Sequence, residues 1–153
     1  MRPEVALLPH QFTRAMIEQR FWTLFADPEC VDPSLGEMVV DEFRRTYASP
    51  GGRVAFLAAL RQVYLDEPYG PRGFYPRLAE LAAPSLFIWG THDTVIRPAL
   101  RHHVAQWLPS AEHVVLENSG HVPQVERPEE VSELQHRHFS SAGAAVKRSH
   151  EAA

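Results

Sequence analysis

Residues 84–98 read P-S-L-F-I-W-G-T-H-D-T-V-I-R-P, and residues 112–128 read E-H-V-V-L-E-N-S-G-H-V-P-Q-V-E-R-P. Each stretch contains a short apolar run, at 85–89 and at 113–116, that is rich in β-branched and aromatic residues. Nearly unbroken runs of this kind are typical of strands that are buried on both faces of a parallel sheet. The two runs therefore predict two neighbouring parallel strands.

The segment between the two runs predicts a crossover helix over residues 98–108. Pro98 suits the first position of a helix, because its φ angle is already helical and its missing N–H is not needed there. Pro109 and Ser110 end the helix. The side chains that share one face, at three- and four-residue spacing, are Leu100, His103, Val104 and Trp107 or Leu108. Strand, helix and strand together form a βαβ unit, whose crossover we expect to be right-handed.

A polar residue follows each predicted strand. Asp93 lies three residues after Gly90, and His121 directly follows Gly120. The carboxyl ends of the strands in an open α/β sheet are where such folds place the groups that handle ligands. We therefore expect the Asp93 carboxylate to lie about 2.6–3.2 Å from Nδ1 of His121. Side chains on opposite faces of the sheet would contradict this expectation.

The order of these two motifs resembles the C-terminal part of an α/β-hydrolase-fold enzyme. W-G-T-H-D-T-V-I-R-P at 89–98 is similar to the acid loop of that family, and S-G-H-V-P-Q-V-E-R-P at 119–128 to its histidine loop. The family's triad runs in the order nucleophile, acid, histidine. The resemblance implies that Asp93 is the acid and His121 the general base. The G-H-x-P-x-x-E-x-P run is the more specific of the two motifs, because G-x-x-D is common.

The chain departs from this family at the nucleophile. A nucleophile elbow reads G-x-S-x-G, and no serine here has a glycine both two positions before it and two positions after it. The only cysteine, Cys30, lies in D-P-E-C-V-D, and no H-G-G-G loop for an oxyanion hole is present. We therefore expect the C-terminal portion of a hydrolase, inactive in isolation. A truncated gene, a misassigned start, a split protein or a deliberate fragment would each give such a sequence.

The expected fold class is α/β, a partial α/β-hydrolase fold with three segments. Residues 1–73 are predicted to form a helical cap. Residues 74–139 are predicted to form the C-terminal part of the core, with a two-stranded parallel βαβ unit and a C-terminal helix. Residues 140–153 are predicted to be a flexible tail.

Apolar periodicity predicts further helices over 11–26, 34–47, 53–65 and 75–82. Ser34, with Glu37 three residues later, has the pattern of a capping box and predicts the start of the second helix. Pro128 predicts the start of the last helix, whose inward side chains are expected to be Val131, Leu134, His138 and Phe139.

Four residues are predicted to contact a substrate. Trp22 and Phe25 lie in the predicted cap, and caps line substrate pockets in the family that the chain resembles. Val95 lies two residues after Asp93, and Val122 directly follows His121. The alternative for the two aromatic residues is ordinary packing between helices, which aromatic residues at helical spacing usually indicate.

The reaction that the resemblance implies is hydrolysis of an ester or related bond of a small apolar substrate through an acyl-enzyme. A hydroxyl nucleophile needs a neutral imidazole to accept its proton, and the imidazole needs a carboxylate to fix its tautomer. Two alternatives stay open. The missing elbow could carry aspartate, as in epoxide hydrolases and dehalogenases, or the chain could be a non-catalytic interaction module derived from a hydrolase.

Composition excludes several other classes of protein. The chain has 153 residues, 44% hydrophobic and 22% charged, which indicates one globular domain. A net charge of −4 gives no basic footprint for nucleic acid, and one cysteine permits no internal disulfide framework. The longest apolar run, 54–60, is far shorter than the ~20 residues that span a bilayer. The N-terminal apolar stretch is too short for a signal peptide, so the expected location is cytoplasmic.

The expected partners follow from the same features. We expect a small-molecule substrate, with no nucleic acid and no membrane. No cofactor is implied, and the histidine pairs His102/His103 and His136/His138 are spaced too poorly on a helix for a shared metal. A two-stranded sheet is marginal alone, and its open edge invites pairing. Self-association, or association with a missing N-terminal half, is therefore expected.

Overall fold

The computed structural model describes residues 13–65 and 67–151. These residues form two compact units. The first unit contains residues 13–23 and 31–80, and the second contains residues 24–30 and 81–151.

The first unit is helical, and its described residues include no strand. Its helices are α1 (Arg14–Trp22), α2 (Pro33–Ala48), α3 (Pro50–Leu65) and α4 (Phe74–Ala79). α2 packs against both α1 and α3, and Val31 and Val40 are buried. Tyr47 of α2 meets Phe56 of α3 edge to face, with ring centroids 4.9 Å apart.

The predicted start of α2 is wrong by two residues. Asp32, rather than Ser34, is the N-cap residue, and Pro33 occupies the first turn. The Asp32 carboxylate accepts hydrogen bonds from the Ser34 N–H at 2.8 Å and from the Ser34 hydroxyl at 2.6 Å. Asp32 caps the helix because a carboxylate is favoured near the positive end of the helix dipole and because a proline suits the position after the cap.

α1 ends at Trp22, four residues before its predicted end at Ala26. The Thr23 hydroxyl donates to the Arg20 carbonyl at 2.7 Å and so satisfies one of the last carbonyls of the helix. Residues 24–30 then belong to the second unit and include a short 3₁₀ turn at Pro28–Cys30. The predicted start at 11 lies outside the described residues.

The second unit contains the predicted βαβ arrangement. Strands β1 (Leu86–Gly90) and β2 (Glu112–Leu116) are parallel, with Leu86 opposite Glu112 and Gly90 opposite Leu116. Helix α5 (Leu100–Trp107) connects them, and α6 (Pro123–Glu126) and α7 (Pro128–Glu151) follow. The core cluster consists of Leu116, Val131 and Leu134, with Leu86, Ile88 and Val114 packed against it. The predicted fold class is therefore confirmed.

α5 begins two residues later than predicted. The N–H groups of Leu100 and Arg101 donate to the carbonyls of Arg97 and Pro98, three residues earlier, at 2.9 and 3.1 Å. Bonds of this type belong to the tighter 3₁₀ geometry that often precedes an α-helix. Pro98 therefore lies in the leading turn rather than at the first α-helical position.

α7 begins at Pro128 as predicted, but it continues through residues 140–151, where a flexible tail is expected from the sequence. This stretch has no proline, and its three alanines, one lysine and one arginine favour a helix and outweigh one glycine. Val131 and Leu134 are buried as predicted, whereas Phe139 is 70% exposed rather than inward. No helix within the described ranges has both the length and the hydropathy that crossing a membrane requires.

Candidate active site

The loops that follow β1 and β2 are joined by their backbones at the carboxyl edge of the sheet. The N–H of Thr91 donates to the Leu116 carbonyl at 3.0 Å, and the N–H of His92 donates to the Ser119 carbonyl at 2.9 Å. These bonds continue the pairing of the strands beyond Gly90. The loop that carries Asp93 and the loop that carries His121 are therefore held together.

Gly90 is required for this close approach. A Cβ at residue 90 would collide with the backbone carbonyls of Ser119 and Gly120. Both carbonyls belong to the backbone, so neither can move away as a flexible side chain would. The glycine of the W-G pair thus lets the histidine loop cross directly over the end of β1.

Asp93 and His121 meet at this edge. Nδ1 of His121 lies 3.0 Å from Oδ2 of Asp93, within the range that the sequence predicts. The other carboxylate oxygen, Oδ1, accepts the N–H groups of Val95 and Ile96, both at 2.8 Å. An ionised carboxylate only accepts hydrogen bonds, so Nδ1 carries a proton, and the lone pair of the neutral imidazole is then on Nε2. Such an imidazole is oriented to accept a proton at Nε2.

The environment of Asp93 favours its ionised form. Burial of the carboxylate raises its pKa, but the hydrogen bonds from His121, Ile96 and Val95 and the charge of His121 lower it more, so the pKa lies below its ordinary value. The Asp93 side chain is only 10% exposed, and that of His121 is 31% exposed. The acid is therefore sheltered while the imidazole reaches the surface of the unit.

The lowered pKa of Asp93 predicts a pH dependence of stability. The pKa of an unfolded aspartate is about 3.9. Because the pKa of folded Asp93 is lower, the folded carboxylate binds a proton less readily than the unfolded one does. Its contribution to the free energy of unfolding is therefore fully present above about pH 5 and is lost as the pH falls through the folded pKa. Urea unfolding of the unmodified chain and of Asp93→Asn should show a difference that shrinks below about pH 4. A difference that grows on acidification would contradict the carboxylate's role.

The four predicted substrate contacts lie in different surroundings. Val95 is 55% exposed in the acid loop, and Val122 is half-buried at the start of α6. Phe25 belongs to the second unit and is buried, with 8% of its surface exposed. Trp22 belongs to the first unit, where its ring lies against Gly36 of α2 and meets Phe21 edge to face at 4.9 Å.

Glu126 has a role in this region that the sequence does not predict. It is buried in α6, five residues after His121, and only 8% exposed. Oε2 accepts the Gly120 N–H at 2.6 Å and is 3.4 Å from the Ser119 hydroxyl, while Oε1 accepts the N–H groups of Ala26 and Asp27 at 2.6 and 3.2 Å. The only signal in the sequence is the glutamate of the G-H-x-P-x-x-E-x-P run, a charged residue at a fixed distance from the histidine.

Within residues 13–65 and 67–151, no group of three or more histidine, cysteine, aspartate or glutamate side chains could hold an ion.

Comparison with known proteins places the chain in context. The sequence profile of the alpha/beta hydrolase fold matches residues 1–128. Lipase 1 of Psychrobacter immobilis is 32% identical over 56 residues, which are 37% of this chain and 18% of the lipase. Bifunctional epoxide hydrolase 2 of Mus musculus is 24% identical over 106 residues, which are 67% of this chain and 19% of that protein. The chain thus spans about a fifth of the length of these relatives.

A solved structure gives the same result at the level of the fold. The esterase EaEST from Exiguobacterium antarcticum superposes with a TM-score of 0.66 at 17% identity, over 90% of this chain and 47% of the esterase chain. The sequence profile covers most of the 153 residues, including both loops that hold Asp93 and His121. The chain therefore belongs to the α/β-hydrolase-fold family.

Proposed function

We propose that this chain supplies the acid and the general base of a serine hydrolase that cleaves an ester or related bond of a small apolar substrate. The observation that carries the proposal is the 3.0 Å contact between Nδ1 of His121 and Oδ2 of Asp93, with Oδ1 held by two backbone amides. A carboxylate fixed in this way holds one imidazole tautomer and stabilises the imidazolium that forms during acyl transfer.

In the proposed mechanism, the nucleophilic serine comes from a segment outside these 153 residues. Nε2 of His121 takes the proton of the serine hydroxyl as the oxygen attacks the ester carbonyl. The same proton then passes to the alkoxide that leaves, and an acyl-enzyme remains. His121 next takes a proton from water as the water oxygen attacks the acyl group, and it returns that proton to the serine oxygen when the bond to the acyl group breaks and the acid leaves. Asp93 stays ionised throughout and stabilises the imidazolium.

The proposed substrate class rests on the apolar side chains beside the acid. Val95 and Ile96 are 55% and 45% exposed, and their own amides bind the Asp93 carboxylate. Val122 follows His121 directly. We propose Val95 and Val122 as contacts for the apolar part of the ester. Trp22 and Phe25 are weaker candidates, because the first packs on α2 and the second is buried.

The proposed partner is a further strand on the open edge of β1. Among the described residues β1 pairs only with β2, so its other edge has N–H and C=O groups that no strand bonds. Such an edge is a template for pairing with another chain. We propose that the segment with the nucleophile occupies this edge, and that a second copy of the chain does so when that segment is absent.

A second candidate function is epoxide or haloalkane hydrolysis with an aspartate nucleophile. The similarity to bifunctional epoxide hydrolase 2 extends over 106 residues, against 56 for Lipase 1, and this longer match supports the second candidate. Asp93 and His121 would serve either chemistry, so the residue at the elbow distinguishes the two.

The first step of the experiment is to sequence the DNA upstream of Met1 and read it in frame. The second step is to express the extended polypeptide and the 153-residue chain in parallel. For the extended polypeptide we expect turnover of short-chain aryl esters and fluorophosphonate labelling of one elbow serine. For the 153-residue chain we expect turnover near background, because the nucleophile and the oxyanion hole are both missing. Labelling of one specific serine in the shorter chain would overturn the proposal. Turnover of an epoxide without labelling would favour the second candidate.

A further inference from the structure

We infer that Glu126 is a positioning residue, which fixes the backbone that carries His121 by tying it to residues 24–27. The inference rests on the proposed role of His121 as general base. The Glu126 carboxylate bonds to backbone amides and approaches the Ser119 hydroxyl, so it acts on the imidazole only through the chain that holds it.

The carboxylate joins two segments that are far apart in sequence. Oε2 bonds the amide of Gly120, six positions away, and Oε1 bonds the amide of Ala26, 100 positions away, each at 2.6 Å. Hydrogen bonds to an ionised acceptor are shorter and about twice as strong as those between neutral groups. Burial of Glu126 removes competition from water, and the two segments are therefore held rigidly.

The amide of His121 itself is part of the same arrangement. It donates to the Leu24 carbonyl at 2.6 Å. Glu126 holds residues 26 and 27, and these follow Leu24 in the chain, so the carboxylate also sets the position of that carbonyl. Two consecutive amides, at 120 and 121, are thus fixed before the chain reaches the imidazole. A catalytic group held from both its backbone and its side chain keeps the geometry that proton transfer needs.

The charge of Glu126, rather than its shape, is what this arrangement requires. Three N–H groups and one hydroxyl are directed at its two oxygens, and only a carboxylate can accept at both ends. A glutamine of the same size would place its NH₂ group against N–H donors at one end. The bonds at that end would be lost, and the histidine loop or residues 24–27 would be released.

The test compares Glu126→Gln with the matched control Glu129→Gln, which makes the same chemical change at an exposed position in the next helix. The readouts in the 153-residue chain are hydrogen exchange at the amides of Gly120 and Ala26 and the low-field Nδ1 proton of His121. We expect Glu126→Gln to speed exchange by about 10- to 100-fold at one or both amides. We also expect it to broaden or shift the His121 proton, and we expect Glu129→Gln to change neither.

If Glu126→Gln does not fold, measurements on Ser119→Ala and on the unmodified chain still test the inference. Ser119→Ala removes the 3.4 Å contact but leaves the carboxylate, so the His121 proton should persist. In the unmodified chain the amides of Ala26, Gly120 and His121 should share one level of protection. The inference is overturned if Ala26 exchanges freely beside a protected Gly120, or if Glu126→Gln leaves the His121 proton unchanged. A missing His121 proton in the unmodified chain would instead count against the proposed function.

Discussion

Replacing His121 with alanine in the polypeptide that includes the nucleophile is expected to lower kcat for a short-chain aryl ester by about 10⁴-fold or more. Without the imidazole no group accepts the proton of the serine hydroxyl, and none returns a proton to the leaving alcohol. Steady-state kinetics, with the fold checked by circular dichroism, would measure the loss. KM should change little, because the imidazole acts on the proton transfer rather than on ground-state binding.

His92→Ala is the matched control for this substitution. His92 is exposed and adjacent to Asp93, and its Nδ1 lies 3.1 Å from the Thr91 hydroxyl. We expect its replacement to leave kcat within a fewfold of the unmodified value. Loss of kcat in His92→Ala, with full activity in His121→Ala, would show that the wrong histidine has been assigned as the base.

Gly120→Ala is expected to lower the stability of the chain strongly. A Cβ at residue 120 would collide with the Leu24 carbonyl and would lie 2.8 Å from the Ala26 amide, and both are backbone atoms that Glu126 and His121 already hold. Overpacking against backbone that cannot move should lower the free energy of unfolding by about 3 kcal/mol. Urea denaturation measures this change directly. The same substitution should disrupt the hydrogen bond between Asp93 and His121.

Gly51→Ala provides the control for the glycine substitution. Gly51 lies in the first turn of α3, and a Cβ there would meet no atom within 4 Å. Alanine is the better helix former, so stability should stay constant or rise by up to about 1 kcal/mol. Equal destabilisation by both substitutions would mean that the crowding at Gly120 is not the cause.

The parts of the fold that the sequence predicts well are those that depend on local pattern. The strands at 86–90 and 112–116 and the start of α7 at Pro128 follow from apolar runs and from a proline, and the structure has them within one residue. The placement of Asp93 beside His121 follows from the geometry of parallel strands, since both loops leave the same edge of the sheet.

The features that the sequence does not predict depend on distant contacts or on close local competition. α1 ends at Trp22, and the amides of Ala26 and Asp27 donate to Glu126, about 100 positions away, a contact that no local pattern in the sequence predicts. Asp32 and Ser34 are both good N-cap residues, and the helix dipole together with Pro33 favours Asp32. α7 extends to Glu151 because the residues after 139 have sufficient helix propensity and include no proline that would end the helix.

The central claim, that Asp93 and His121 form an acid–base pair, is tested most directly by proton NMR of the ¹⁵N-labelled 153-residue chain. The account predicts one low-field proton bonded to Nδ1 of His121, because that nitrogen lies 3.0 Å from the Asp93 carboxylate. The resonance should vanish in Asp93→Ala and remain in His92→Ala. A low-field proton that survives Asp93→Ala, or no such proton on His121 in the folded chain, would contradict the account.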